Sequence, residues 1–310
     1  MMIIKRLLIS AVMAGLGIIG YVLWQESHKP FQVETPDTKN KLFSGLPGWE
    51  NADLRLSLLA FRNSCQLFLK LNPEKNVGSQ HISLKAKDWQ PGCRAAMNIN
   101  THSEEKIKDF FQTWFKPTLV GGKKSENGLF TGYYAPSVKG SRQHSGQYSI
   151  PIYDAESNGK VLAWVSTQKD KDTLRIEGSA VIAMNNGENV PVEYIKGGRG
   201  ALYFRETADH EFHGAQDVTL TPGYSMAIDR SWIPLGTPLW LNTRVQQNLT
   251  RRAQPFQRLM IAQDIGSAIR GAVRGDLYWG EGKKATAVGS NVHNKGQYWL
   301  LLPKKIYAKV

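Results

Sequence analysis

An aspartate stands at the end of an unbroken apolar stretch in this chain. Leu259-Met260-Ile261-Ala262-Gln263 reads as a buried strand and runs directly into Asp264-Ile265-Gly266-Ser267-Ala268-Ile269-Arg270-Gly271. A carboxyl group placed there is partly desolvated yet open on one side. Desolvation penalises the charged form and lifts a carboxyl pKa above its ordinary value of about 3.9, which suits a general acid. Gly266 and Gly271 keep the surrounding wall low enough for a polymer to approach. Asp276 follows in Arg274-Gly275-Asp276-Leu277-Tyr278-Trp279-Gly280, a second carboxylate beside two aromatic rings of the kind that suit sugar faces. A third, Asp229, lies in Ser225–Trp240, which reads as strand, turn, strand. There it either joins the other carboxylates or orders the following turn through its own backbone bonds. Taken singly, each aspartate also fits a plain turn former at a strand end.

Other chemistries fail on spacing. His210 and His213 flank Glu211 and Phe212 with no second set of ligands, so no metal site is expected. Gly223-Tyr224-Ser225-Met226-Ala227 falls short of a nucleophile elbow because the closing glycine and the strand-to-helix pattern are missing. Gly280-Glu281-Gly282-Lys283-Lys284 lacks the spacing and hydroxyl of a phosphate loop, and no cofactor is expected. Asp264-Ile265-Gly266 matches the Asp-x-Gly signature of aspartic proteases, but those enzymes need two such aspartates face to face and this chain offers one.

The elements that must position these residues are mostly strands. Two helices come first. One begins near Asn51 or Asp53 and carries Leu56, Leu59, Phe61, Cys65 and Phe68; the other begins at Ser103 and presents Ile107, Phe110, Phe111, Trp114 and Phe115 as a core stripe. Beyond Gly121, short apolar runs punctuated by Gly, Pro and Asn predict strands from Leu129–Tyr134 to Tyr298–Leu302, including one over Leu174–Met184. Many short strands without intervening helices point to barrels or sandwiches rather than a doubly wound sheet.

Bulk properties narrow the setting. The 310 residues carry 39 Lys and Arg against 26 Asp and Glu, a net charge of +13 that favours anionic partners. With no long like-charge run and no recognition motif, nucleic acid is not expected among them. Lys5 and Arg6 precede an apolar run from Leu7 to Trp24. At about 18 residues it is long enough to cross a bilayer, with the positive flank retained and the rest exported. Residues 1–24 are therefore expected to be a membrane anchor, with a cleaved signal peptide as the alternative, and 25–46 a linker. In an exported chain, the even pair Cys65 and Cys93 is expected to form a disulfide, the alternative being two buried thiols.

Several blocks occur together and in order: Gly128-Leu129-Phe130-Thr131-Gly132-Tyr133-Tyr134-Ala135-Pro136, Glu177-Gly178-Ser179, Ser225–Leu241 and Ala262–Gly280. In this the chain resembles the membrane-bound lytic murein transglycosylase A family over most of residues 50–303. Ser64-Cys65 and Trp89–Cys93 also resemble a cysteine pair in some members. The resemblance implies a mainly β fold: a double-psi β-barrel with a smaller β-barrel inserted into it and a few N-terminal helices. The barrel domain would span 47–135 and 205–310, the insert 136–204, and glycan strands would lie in the groove between. Asp264 falls on the family's catalytic aspartate, and Asp276 and Asp229 on its other barrel carboxylates. Thr131, Tyr133, Tyr134, Gly178 and Ser179 fall on groove positions; Glu177, Gly266 and Trp279 are expected to line the groove beside them. Three departures stand out. Glu177 replaces the usual glutamine, only Lys196-Gly197-Gly198-Arg199-Gly200 separates Ile195 from Ala201, and a membrane helix stands where many members carry a lipid.

The implied activity is cleavage of the β-1,4 bond between N-acetylmuramic acid and N-acetylglucosamine in peptidoglycan, closing a 1,6-anhydro ring without water. The alternatives are a non-catalytic peptidoglycan-binding protein and a hydrolytic muramidase on the same site. The implied location is the periplasm, with the N-terminal helix in the inner membrane in preference to the outer. A cell-wall synthesis complex is the further partner that the family suggests.

Overall fold

The computed structural model describes residues 42–120, 127–157, 159–198, 201–207, 211–246 and 252–304. The expected membrane segment 1–24 and all but the end of the linker lie outside them, as does His210. Among the described residues, no helix is long and apolar enough to cross a membrane.

Three helices open the fold: α1 (Arg55–Lys70), α2 (Ala86–Met97) and α3 (Glu104–Trp114). In α3 the Ser103 hydroxyl accepts the Lys106 amide while Glu104 and Glu105 sit in the first turn, so the N-terminal amides and dipole are both satisfied. The second of these, α2, is not among the helices expected from the sequence, and it carries Pro91-Gly92 in its interior. The helix forms nevertheless. Asp88 accepts the Lys85 amide at its start, Trp89, Cys93 and Ala96 make one buried face, and Cys93 is disulfide-bonded to Cys65 of α1 with the Cα atoms 5.0 Å apart. Phe68 stacks on Trp89 with ring centroids 5.1 Å apart. Together with Trp49, Trp240, Leu259 and Ile261, these side chains form a core between the helices and the sheet.

The main sheet is built from β1 (Phe115–Leu119), β2 (Gly128–Ala135), β9 (Ser225–Ile228), β10 (Pro238–Val245), β11 (Gln254–Ile265), β12 (Arg274–Glu281) and β13 (His293–Pro303). Six of them close in the order β13-β10-β11-β9-β12-β2, because β2 pairs back onto β13; β1 lies outside, against β13. The pairs β11–β9 and β12–β2 are parallel within an otherwise antiparallel ring, and the structure is a double-psi β-barrel. Phe130, Met226, Leu239, Met260, Leu277 and Leu300 fill its interior.

Between β2 and β9 the chain builds a second closed barrel from β3 (Ser137–Ser141), β4 (Ile150–Asp154), β5 (Val161–Val165), β6 (Ser179–Met184), β7 (Asn189–Gly198) and β8 (Ala201–Glu206), in the order β3-β5-β4-β8-β7-β6. The strand expected over Leu174–Met184 is two elements. The Thr167 hydroxyl and the Asp170 carboxylate form a reciprocal capping box that starts α4 (Gln168–Glu177), and Gly178, at φ 76°, ends it in the left-handed region. Only Ser179–Met184 is strand. Where the two barrels meet, Ala135, Val181, Phe212, Leu220 and Tyr278 form a small joint core. The last helix, α5 (Gly282–Gly289), packs against β2 and β12.

Candidate active site

Side chains alternate across a strand, so Asp276 and Tyr278 of β12 share one face, while Leu277 and Trp279 share the other. The parallel neighbour β2 sets Thr131 opposite Asp276 and Tyr133 opposite Tyr278 on that same outer face. The Thr131 hydroxyl donates to Asp276 Oδ1 at 2.7 Å, and the Tyr133 hydroxyl donates to Asp264 Oδ2 at 2.7 Å. Two residues of one strand thus carry the two carboxyls, at anchor points roughly 7 Å apart.

Asp264 reaches this face because β11 is irregular. Its register against β9 shifts between Ala262 and Asp264, so one extra residue, Gln263, is taken up there. Gln263 is fully buried: its amide nitrogen donates to the Ala60 carbonyl at 2.8 Å and Ser64 Oγ at 2.9 Å, and its carbonyl oxygen accepts from Ser225 Oγ at 2.6 Å. The loop after Phe212 crosses close by. The Gln216 amide donates to the Gln263 carbonyl at 3.0 Å, and a Cβ on Gly214 would lie 2.3 Å from that oxygen, so only glycine permits the approach. Between them, the Ala215 amide donates to Asp264 Oδ1 at 2.9 Å, joined by the Ile265 amide at 2.8 Å.

These contacts oppose one another electrostatically. Burial pushes the Asp264 carboxyl up; Tyr133 and the two amides pull it down, Glu193 of β7 adds negative charge, and the net result lies above the usual aspartate range. Asp276 is raised too, chiefly by burial, against the Thr131 hydroxyl and the Arg274 guanidinium, with Asp264 itself contributing. Glu177, at the end of α4, is raised by burial and by Asp276, while the Tyr134 amide bonds its carboxylate. Burial and the nearby Glu177 lift the half-buried Tyr134 phenol, and burial with Asp264 lifts that of Tyr133 well above 10. Asp264, Asp276 and Glu177 are therefore three neighbouring carboxyl groups that all resist ionisation. Arg274 Nη2 donates to Thr131 Oγ1 at 3.0 Å, bracing the hydroxyl that holds Asp276.

The remaining expected residues fall in different places. Gly178 reverses the chain between Glu177 and β6, and Ser179, the first residue of β6, is buried. Gly266 packs against Ile269 in the turn after β11, where an added Cβ would meet Ile269 Cγ1 at 2.7 Å. Asp229 is engaged in its own turn. Burial raises its carboxyl, but the Gly271 amide at 2.8 Å, the Ser231 hydroxyl at 2.7 Å and the Ser231 amide at 3.0 Å outweigh this and leave it below the usual range. Trp279 does not share the face of Asp276. Alternation turns its ring away, against Phe256 and the backbone at Gly132 and Gly289.

The Ala215 amide, Gln263 and Glu193 were not singled out from the sequence. Gln263 had a signal, as the polar residue in an otherwise apolar run; Glu193 similarly interrupts Val190-Pro191-Val192 and Tyr194-Ile195. What each would touch was not encoded nearby. Among the described residues, no group of three His, Cys, Asp or Glu side chains is arranged to hold a metal ion.

Comparison with known proteins gives consistent likenesses. The 3D domain family model matches residues 224–302. The membrane-bound lytic murein transglycosylase A of Escherichia coli K12 is 23% identical over 248 residues, covering 59% of this chain and 68% of that protein. The solved structure of the lytic transglycosylase LtgG of Burkholderia pseudomallei is 26% identical with a TM-score of 0.62, covering 85% of this chain and 94% of the other. The structure of Escherichia coli MltA with bound chitohexaose is 20% identical with a TM-score of 0.57, covering 82% and 90%.

Proposed function

We infer that this chain, which belongs to the membrane-bound lytic murein transglycosylase A family, cleaves the glycan strands of peptidoglycan by lytic transglycosylation, with Asp264 as its acid and base. One observation carries this reading. Asp264 is held by a phenol and two amides and faces Glu193 of the inserted barrel, yet its carboxyl lies above the ordinary range. Such a group is ordered and still able to carry a proton. The chitohexaose in the related E. coli structure supports a glycan strand as the ligand.

The chemistry needs a single proton carrier. Asp264, protonated, gives its proton to the glycosidic oxygen as the bond from C1 of N-acetylmuramic acid breaks. The 6-hydroxyl of the same sugar bonds to C1, and its proton passes to the Asp264 carboxylate, which restores the acid. The nucleophile is part of the substrate, so the rate gain of an intramolecular attack replaces an enzymic nucleophile. Asp276, held beside the site by Thr131, orients the sugar, and in its ionised form stabilises positive charge at the ring. A site that only bound glycan would have no use for a desolvated acid, which favours catalysis over binding alone.

Digestion of purified sacculi followed by mass spectrometry tests this reading. 1,6-Anhydro muropeptides are expected; reducing ends would indicate a hydrolytic muramidase, and retention on sacculi without release would indicate a binding protein. Asp264→Asn is expected to lower release by at least about 10³-fold with the fold intact, and Asp276→Asn by less. Near-native cleavage by Asp264→Asn would remove this residue from the mechanism. As a murein enzyme the protein works in the cell envelope. We place it at the periplasmic face of the inner membrane, tethered through residues 1–24, where a cell-wall synthesis complex is its expected company.

A further inference from the structure

We propose that Glu193 is a positioning residue through which the inserted barrel acts on Asp264: it anchors the loop that delivers the Ala215 amide and faces Asp264 with a second negative charge. Glu193 lies on β7, 6% exposed, opposite Ser179 of β6 and Arg205 of β8. Its carboxylate accepts the backbone N–H of His213, stands 3.4 Å from His213 Nδ1, and accepts from Arg205 Nη2 at 3.1 Å. His213 also pairs with Thr219, which closes the loop that contains Ala215. Only Gly214 separates the residue held by Glu193, His213, from the residue held by Asp264, Ala215, a reach of about 7 Å at full extension. The carboxyl of one barrel and that of the other thus grip the same short piece of chain.

The groups around Asp264 give this contact its sign. Tyr133 faces it from β2, Asp276 and Tyr278 from β12, and Glu193 from β7. Arg274 is bonded to Thr131 and adjoins Asp276, and Arg205 is bonded to Glu193. The loop contact and the charge act in opposite directions. The Ala215 amide favours ionised Asp264, whereas the Glu193 charge favours the protonated acid. Arg205, half exposed, sets how much of that charge Asp264 feels. A purely structural clamp would hold the amide and leave the titration alone.

The test is the titration of Asp264 in the full chain, read from ¹³C-carboxyl-labelled aspartate, with Asp264→Asn assigning the signal. The pH profile of anhydro-muropeptide release is measured in parallel. Glu193→Gln keeps an oxygen to accept the His213 amide, removes the charge and leaves Arg205 uncompensated. It is expected to lower the midpoint of Asp264, and the alkaline limb of the profile, by about 0.5 pH unit or more. Arg205→Gln leaves Glu193 unneutralised and is expected to move both upward. Opposite shifts support the proposal. Midpoints within about 0.2 pH unit of wild type in both variants, with melting temperature alone changed, overturn it. If Glu193→Gln does not fold, the upward shift in Arg205→Gln decides. The activity arm rests on the function proposed above, but the titration does not: opposite shifts in a protein that releases no anhydro products would leave the Glu193 coupling standing and discard that function.

Discussion

At the scale of single residues, Asp264 accepts three hydrogen bonds that favour its ionised form, and burial still wins. Two predictions belong here. In Tyr133→Phe the phenol that draws Asp264 toward ionisation is gone. The midpoint of Asp264 should rise, and release of products should fall by about 10-fold or more because the acid is less firmly aimed, as a pH–rate profile will show. Asp264→Asn should not destabilise the fold at neutral pH. Asn Oδ1 keeps both backbone amides, and Nδ2 donates to the Tyr133 oxygen. The sign follows from the raised pKa: in the wild type the folded state holds its proton longer than the unfolded chain, so stability is fully present below about 3.8 and is lost as pH climbs through the raised folded value. The Asn variant has no such loss. Thermal melts should therefore give equal or higher melting temperatures for Asp264→Asn at pH 7, and the difference should close toward acid. Asp264 drew attention in the sequence because a carboxylate at an apolar strand end is locally visible, and Asp276 because it stands beside Tyr278 and Trp279. Glu193 and the Ala215 amide did not, since the contacts that give them meaning span 71 and 49 residues.

Among the elements, the irregularity in β11 matters most. Gln263 occupies the extra position and ties it to Ala60 and Ser64 of α1 and to Ser225 of β9. Gln263→Ala strands several buried polar groups at once and should cost about 2–4 kcal/mol in denaturant unfolding. It should also lower cleavage more than the loss of stability explains, because the next residue is Asp264. A variant that kept full activity would detach the bulge from the aim of the acid. Short apolar runs between turn residues marked the barrel strands in the sequence, but the same reading drew α4 into a strand, because an apolar run reports that side chains are covered and not which element carries them. The capping box at Thr167 and Asp170 was the local signal that α4 is a helix. For α2 the deciding partner, Cys65, is 28 residues away from Cys93.

For the whole molecule, the Cys65–Cys93 bond joins α1 to α2 over the face of the sheet that carries β11. Its loop of 28 residues gives about 3–4 kcal/mol by restricting the unfolded chain. The double variant Cys65→Ala/Cys93→Ala, and reduction of the wild type, should both lower stability by roughly that amount in equilibrium unfolding. Since α1 also holds Gln263, activity at physiological temperature should fall with it. The mainly β fold with two barrels was legible from the run of short strands and the ordered sequence blocks. The ring order was not, because closure depends on pairings such as β2 with β13 that join residues 128–131 to residues 293–296.

That closure has a consequence for how the protein is made. Thr131 and Tyr133 leave the ribosome early, but the strand that lies beside them ends at Glu281, and the one that seals the ring ends at Pro303. Synthesis runs from the N-terminus, so a nascent chain can complete the inserted barrel while its two grips on Asp264 and Asp276 still lack their other half. A wall-cutting activity built in this way stays silent in any product that stops short of β13, and switches on only when the last strand arrives.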